Sequence, residues 1–279
     1  MTANKISTLI LQNIFFPGLK VKMPHKWKSA LQSTGEVTNF GVDRAGGNIS
    51  AAIVSPKGQK LDFKALPQVV ILAHPLSKKA KYFFAKSPCL EFYASKGIPT
   101  VLFDFNGFGE SERIDMFYWK DAEAVVNKTR EMFPNAKILL HGASFGAFHI
   151  VRAIESLPAG SHALLENVSR SLLDYWKRWF LTRNAVKVLQ ALPIQSFRDM
   201  EILSSLKKLD RKNVSVSMIA CADDKFTPPE EMQDLAKRSG LERGFHTIPG
   251  AAHLQAGIIA LEQYKNILQG IVLPEGSPL

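Results

Sequence analysis

From residue 36 onward the chain alternates two hydrophobic rhythms. Apolar runs of three to seven residues fall at 37–40, 49–54, 69–73, 100–103, 138–140, 163–165, 214–220 and 245–248, and between them apolar residues recur at helical spacing. Runs that short, bounded by turn residues, read as strands, and strands alternating with helices predict a mostly parallel sheet whose crossovers are helical. The first two runs are separated by "DRAGGN", a hairpin-like turn, so the sheet should begin antiparallel and continue parallel. The expectation is an α/β fold with an eight-stranded central sheet flanked by helices. A chain of 279 residues with 46% hydrophobic residues can bury one large core of that kind.

Ligands of such a sheet bind beyond the C-terminal ends of its strands, so those ends are where chemistry belongs. The third run is followed by "HPLSKK", the fourth by "DFNGFGES", the fifth by "HGASFG", the seventh by "CADDKFTPP" and the eighth by "PGAAHLQ". In "KILLHGASFGAFHI" the run 138–140 gives way to Ala147, Ile150, Val151 and Ile154 at helical spacing, ending before Pro158. Ser144 therefore sits at a strand-to-helix turn between Gly142 and Gly146. A sharp turn there presents the hydroxyl at the strand end, the two glycines admit close approach of backbone and helix, and the helix N-terminus faces any negative charge that develops. The competing reading is an idle serine at a junction eased by two glycines.

A serine hydroxyl is a poor nucleophile at neutral pH and needs a base, which in turn needs a group to hold its tautomer. Asp223 and Asp224 follow the seventh run and His253 follows the eighth. The order Ser, Asp, His along the chain is the one this sheet architecture uses.

Over roughly residues 45 to 270 the chain resembles the α/β-hydrolases, and within them the lysophospholipase-like and serine-aminopeptidase-like enzymes with small caps. "HGASFG" resembles the family's nucleophile turn, "DFNGFGES" its Asp-x-Arg-Gly-x-Gly-x-Ser turn, "CADDKFTPP" its acid loop and "GAAHL" its histidine loop. The resemblance implies a triad of Ser144, Asp224 and His253. The family's acid lies four residues before the proline, which selects Asp224 and leaves Asp223 as a turn residue whose carboxylate caps the loop. Glu166 is a third possibility, since some relatives carry the acid after the sixth strand. His246 lies inside a strand pattern and His149 on the helix after Ser144, so neither stands in the histidine loop. The resemblance further implies an oxyanion hole made by the amides of Phe145 and Leu76, with Ser77 as the alternative to Leu76, and it implies no metal or organic cofactor. Two departures stand out: His74-Pro75-Leu76 replaces the common His-Gly, removing an N–H at Pro75, and Asn106 replaces the arginine of the Asp-x-Arg-Gly turn.

The activity expected is that of a serine hydrolase on carboxylic esters, with lysophospholipid, monoacylglycerol and acyl-thioester substrates among the variants. An aminopeptidase-like amidase is the alternative within the fold, and it calls for a cap acid such as Asp174, Asp199 or Glu201 to hold a substrate ammonium. A non-catalytic membrane- or protein-binding module is the alternative outside it. Serine rather than aspartate at the turn argues against a dehalogenase.

Charge adds a possible partner. The formal net charge is +10, and residues 1–60 carry eight Lys/Arg against Glu36 and Asp43, a local +6. Such a segment suits an anionic surface such as phospholipid, or simply a solvated basic face. No helix-turn-helix, zinc finger or aromatic RNA-binding signature accompanies it, so no nucleic-acid partner is expected. Residues 1–35 read as a basic, partly apolar extension to a hydrolase domain over 36–279. Its apolar stretch 6–16 is too short to span a bilayer and precedes no small-residue cleavage site. As an amphipathic helix it either packs on its own domain or lies in a membrane interface. The segment 170–208 exceeds what a crossover needs and reads as a small helical cap, whose interleaved Tyr175, Trp176, Trp179, Lys177 and Arg178 suit a packed face or an acyl-binding wall. Cys89 and Cys221 have neither disulfide nor zinc spacing, so a reducing, cytoplasmic setting is expected, with possible peripheral membrane contact.

Overall fold

A computed structural model describes residues 24–58, 62–172, 178, 201–210 and 212–272. Its eight strands form one sheet in the order β1-β2-β4-β3-β5-β6-β7-β8. They span Glu36–Arg44 (β1), Gly47–Ser55 (β2), Gln68–Ala73 (β3), Thr100–Phe103 (β4), Lys137–Ala143 (β5), Ser161–Glu166 (β6), Val214–Cys221 (β7) and Phe245–Ile248 (β8). β1 pairs antiparallel with β2 and β2 with β4, while the other five pairings are parallel. The helices used below are α1 (His25–Thr34), α2 (Pro88–Ser95), α3 (Tyr118–Met132), α4 (Phe145–Ile150), α5 (Leu203–Lys208), α6 (Pro229–Ser239), α7 (Ala256–Ile259) and α8 (Leu261–Ile271).

The period-2 alternation of side chains divides the core into two layers. Val69, Ile71 and Ala73 of β3 point to a layer completed by Val125 and Val126 of α3, Ala147 and Ile150 of α4, and Leu235 of α6. Val70 and Leu72 point to the other, where Leu31 of α1, Leu90 and Tyr93 of α2, and Tyr264 and Leu268 of α8 await them. Helices on both faces explain why the inner strands read as unbroken apolar runs rather than alternating ones. In the opening hairpin β1, at the sheet edge, alternates instead from Phe40 to Arg44, whereas β2, paired on both sides, is buried from Ala51 to Val54.

That hairpin is longer than its apolar residues suggest. The pairing runs to Arg44↔Gly47 across a turn in which Gly46 takes φ 100°, a conformation open to glycine. The polar residues Asp43, Arg44 and Asn48 pair within it, and Arg44 has a purpose at its end. Its guanidinium reaches Asp115 at 2.8 Å and Asp121 at 2.8 Å, both beyond the "DFNGFGES" loop. Asn106 meets the same Asp121: its backbone N–H and side-chain amide donate to Oδ2 at 2.9 and 2.8 Å, and its Oδ1 accepts from the amides of Ile114 and Asp115. Arg44 of β1 and Asn106 of the loop thus share Asp121 between them.

A second buried ion cluster anchors the turn after β3. The 3-10 helix Ala80–Lys86 places Lys81, fully buried, with Nζ 2.8 Å from Asp104 Oδ2, 2.8 Å from Glu110 Oε2 and 2.8 Å from Ser50 Oγ. Asp104 also accepts the amides of Lys81 and Glu110. The two lysines on Glu110, Lys81 and Lys28, outweigh its partial burial and hold its carboxyl down at about 2.

Three histidines, His74 and His149 buried and His162 half-buried, hold their protons weakly. Burial lowers His74 to about 4, His149 to about 3 and His162 to about 4. Each binds its proton more weakly in the folded chain than in the unfolded one, whose imidazoles titrate near about 6.5. As pH falls below that value the unfolded chain takes up protons first, so stability is full above it and is lost progressively toward pH ~4. Thermal midpoints measured from pH 8 to 4.5 should fall along that limb. His149→Phe, which removes a buried Nε2 with no hydrogen-bond partner among the described residues, should make the limb shallower; an unchanged slope would exclude His149 as a contributor.

Candidate active site

β5 ends at Ala143 and α4 begins at Phe145, and Ser144 between them takes φ 52°, ψ −110°. A positive φ in a non-glycine residue is strained and persists where its surroundings impose it. They do so here through Ser144 N–H, which donates to Glu166 O on β6 at 2.8 Å, and through Ser144 O, which accepts from Phe148 N–H at 3.0 Å. Gly146 is obligatory: a Cβ there would lie 2.1 Å from Ala73 O. A Cβ at Gly142 would lie 2.6 Å from Ala147 N. The two glycines do what their spacing predicts.

β7 delivers the acid loop. Asp224 turns back on the strand end through its N–H to Cys221 O, and its carboxylate is surrounded by donors. Oδ1 accepts the amides of Phe226 at 2.8 Å and Thr227 at 3.0 Å; Oδ2 accepts from Asn167 Nδ2 at 2.7 Å, from Thr227 Oγ1, and from His253 Nδ1 at 2.6 Å. Burial works to raise this carboxyl, but the hydrogen bond and charge of His253 together with the bonds from Thr227 prevail and hold it below the usual carboxylate range. An ionised acceptor on Nδ1 fixes the imidazole proton there and leaves Nε2 bare. That nitrogen lies 2.9 Å from Ser144 Oγ. The histidine ring packs against Phe226, centroids 5.4 Å apart. Ser144, His253 and Asp224, drawn from three strand ends, are therefore joined in one hydrogen-bonded line.

The other candidates fall elsewhere. Asp223 donates its N–H to Ala251 O, and its carboxylate makes no hydrogen bond among the described residues; the loop is capped instead by Asp224 itself, through the amides of Phe226 and Thr227. Glu166 ends β6 with its side chain on the opposite face, where Oε2 meets His141 Nε2 at 3.1 Å and Tyr264 OH at 3.0 Å. It serves Ser144 only by its backbone oxygen. His149 is buried against Phe145, and His246 lies within β8.

Leu76 and Phe145 border the cavity that contains Ser144, together with Phe148, Ser169 and Leu172. The loop that carries Leu76 is pinned by His74: its Nδ1–H donates to Pro75 O at 2.7 Å and its Nε2 accepts Phe105 N–H at 3.2 Å. Both contacts suit the neutral ring. Ser77 is engaged in the following turn, accepting the amide of Ala80 on its carbonyl and that of Lys79 on its hydroxyl.

Sequence reasoning overlooked Asn167 and Thr227. Thr227 had a signal, a hydroxyl residue three positions after an aspartate in a loop; Asn167 had none. The expected cap falls largely outside the described residues, as do residues 1–23 and the acids Asp174 and Asp199. Near its start, Ser171 forms a bridge with Glu201, ahead of the helix Leu203–Lys208. Among the described residues no group of three or more His, Cys, Asp or Glu is placed to hold a metal, and no helix is long and apolar enough to cross a membrane.

No protein-family model matches the chain, and no curated protein matches it in sequence. Solved structures do. An esterase of Pyrococcus furiosus superposes with a TM-score of 0.66 at 16% identity, covering 90% of this chain and 96% of its own. An α/β-hydrolase of Vibrio vulnificus gives 0.67 at 14% identity over 98% and 95%. The chain has the α/β-hydrolase fold. A third α/β-hydrolase-fold structure, a serine hydrolase without a lid from Xanthomonas campestris, matches at a TM-score of 0.57 and 21% identity over 87% of this chain and 97% of its own.

Proposed function

We propose that this α/β-hydrolase-fold protein is a serine hydrolase acting on carboxylic esters. The observation that carries the reading is the line from Ser144 Oγ through His253 to Asp224, with steps of 2.9 and 2.6 Å. His253 Nε2 takes the hydroxyl proton as Ser144 attacks the carbonyl carbon, and Asp224 stabilises the imidazolium that forms. The oxyanion is received by the amides of Phe145 and Leu76, each such donor contributing about 2.7–4 kcal/mol in the transition state. His253 then hands its proton to the leaving alkoxide, and the acyl-enzyme is hydrolysed by water activated at the same nitrogen.

Two observations favour an ester that places an apolar group beside Ser144, and the lysophospholipid, monoacylglycerol and acyl-thioester variants remain among the proposals. The cavity beside Ser144 is walled by Leu76, Phe148 and Leu172, and Phe226 stands 40% exposed next to His253. The esterase and serine hydrolase among the structural neighbours support the reaction class.

The test is labelling with a fluorophosphonate probe, alongside turnover of p-nitrophenyl esters from short to long chains. The parent should label and turn over, with the chain-length profile reporting which acyl groups the site accepts, and Ser144→Ala should do neither. A folded parent inert to both reagents would remove the hydrolase reading.

A further inference from the structure

We infer that Asn167 is a positioning residue that sets both ends of the hydrogen bond between His253 and Asp224, an inference that rests on the hydrolase reading for its catalytic meaning. Asn167 follows β6 and is fully buried. Its Nδ2 donates to Asp224 Oδ2 at 2.7 Å, on the acid loop after β7. Its Oδ1 accepts Leu254 N–H at 3.4 Å, one residue past His253, and the Cys221 thiol at 3.3 Å, at the end of β7. Its backbone N–H donates to Ile219 O at 2.8 Å. A single carboxamide thereby ties together the chain ends after three neighbouring strands.

The amide can face only one way. Turned over, its oxygen would meet the Asp224 carboxylate and its NH2 would meet the Leu254 N–H, two repulsions in place of two bonds. The backbone carries the same signature. Asn167 at φ 51° and Leu254 at φ 59° are both left-handed, and they face one another across the Oδ1 contact. Asparagine tolerates that region, but leucine does not, so the strain at Leu254 is imposed by what holds it. Asn167 is what its amide meets. The consequence is geometric: Asp224 Oδ2 is fixed between Asn167 and Thr227 so that it faces His253 Nδ1, while the backbone beside His253 is tethered to the same side chain.

Two substitutions separate positioning from packing. Asn167→Asp keeps the shape and the acceptor for Leu254 but sets a carboxylate against Asp224; Asn167→Gly removes the side chain while permitting the positive φ. The proton of a short charge-assisted N–H···O bond resonates far downfield of ordinary amides, so His253 Nδ1–H offers a readout that needs no substrate. In Asn167→Asp we expect that resonance to be displaced or lost while the thermal transition remains cooperative, and kcat on a p-nitrophenyl ester to fall about ten- to hundredfold at unchanged KM, the equivalent of one lost hydrogen bond to a charged group. Asn167→Gly should move both readouts in the same direction; should it fail to fold, the isosteric aspartate variant decides. Folded variants that keep the parental resonance and kcat would overturn the inference. If the parent turns over no ester, the hydrolase reading falls, and the resonance alone still decides whether Asn167 holds the pair.

Discussion

Replacing His253 with alanine is expected to lower kcat on a p-nitrophenyl ester about 10⁶-fold, and replacing Ser144 in the same chain should cost almost nothing more. The non-additivity follows from the geometry. Among the described residues Ser144 Oγ has one base within reach, at 2.9 Å, and without it the hydroxyl keeps its proton. The loss corresponds to about 8 kcal/mol of barrier. The residual rate would come from the amides of Phe145 and Leu76 and from binding in the cavity. Kinetics on the two single variants and the double variant check this. Losses that multiply, giving about 10¹²-fold in the double variant, would mean that Ser144 and His253 act independently and that the line of hydrogen bonds is not the catalytic unit.

The largest stability effect is expected at Lys81. Lys81→Met keeps the length of the stem and removes the charge, leaving Asp104, itself fully buried, with a carboxylate lacking its cation and with Glu110 turned toward it. Breaking a buried pair in this way costs about 3–5 kcal/mol, a fall in the thermal midpoint of roughly 5–15 °C for a domain of this size. Lys28→Met is the control, because its bond to Glu110 joins side chains 41% and 32% exposed and is worth at most about 1 kcal/mol. Adding Asp104→Asn to Lys81→Met should restore part of the loss. A Lys81→Met protein that melts with the parent would show that the cluster is dispensable.

Much of this was legible in the sequence, for reasons that particular residues make plain. All eight apolar runs became strands, and the inner ones announce themselves most clearly, because strands covered on both faces must be apolar throughout. The hairpin ends were not legible: Asp43 and Asn48 are polar, and the buried Arg44 is held there by acids at least 71 residues away rather than by an apolar pattern. The arrangement of the candidate site was legible where it is local to a loop. Ser144 needs its glycines at fixed offsets, and Asp224 and His253 needed only the right strand ends. What stayed hidden was made by contacts distant in sequence. Arg44 reaches Asp115 across 71 residues, Asn167 reaches Asp224 across 57, and Tyr93 OH meets His141, itself bonded to Glu166, across 48. A polar residue with a remote partner looks the same, in a sequence, as one that faces water.

The bond between Ser144 and His253 joins positions 109 residues apart, and the strand that brings the histidine is one of the two edge strands of the sheet. As the chain leaves the ribosome, the serine turn can form once β5 and β6 have paired, long before its base exists. The hydroxyl then waits, strained but unassisted, until an edge strand with neighbours on one side only has docked. Recovery of the proposed hydrolase activity during refolding would therefore report the closing of that edge rather than the building of the core, and a chain stalled one strand short would have a nearly complete core and no assembled triad.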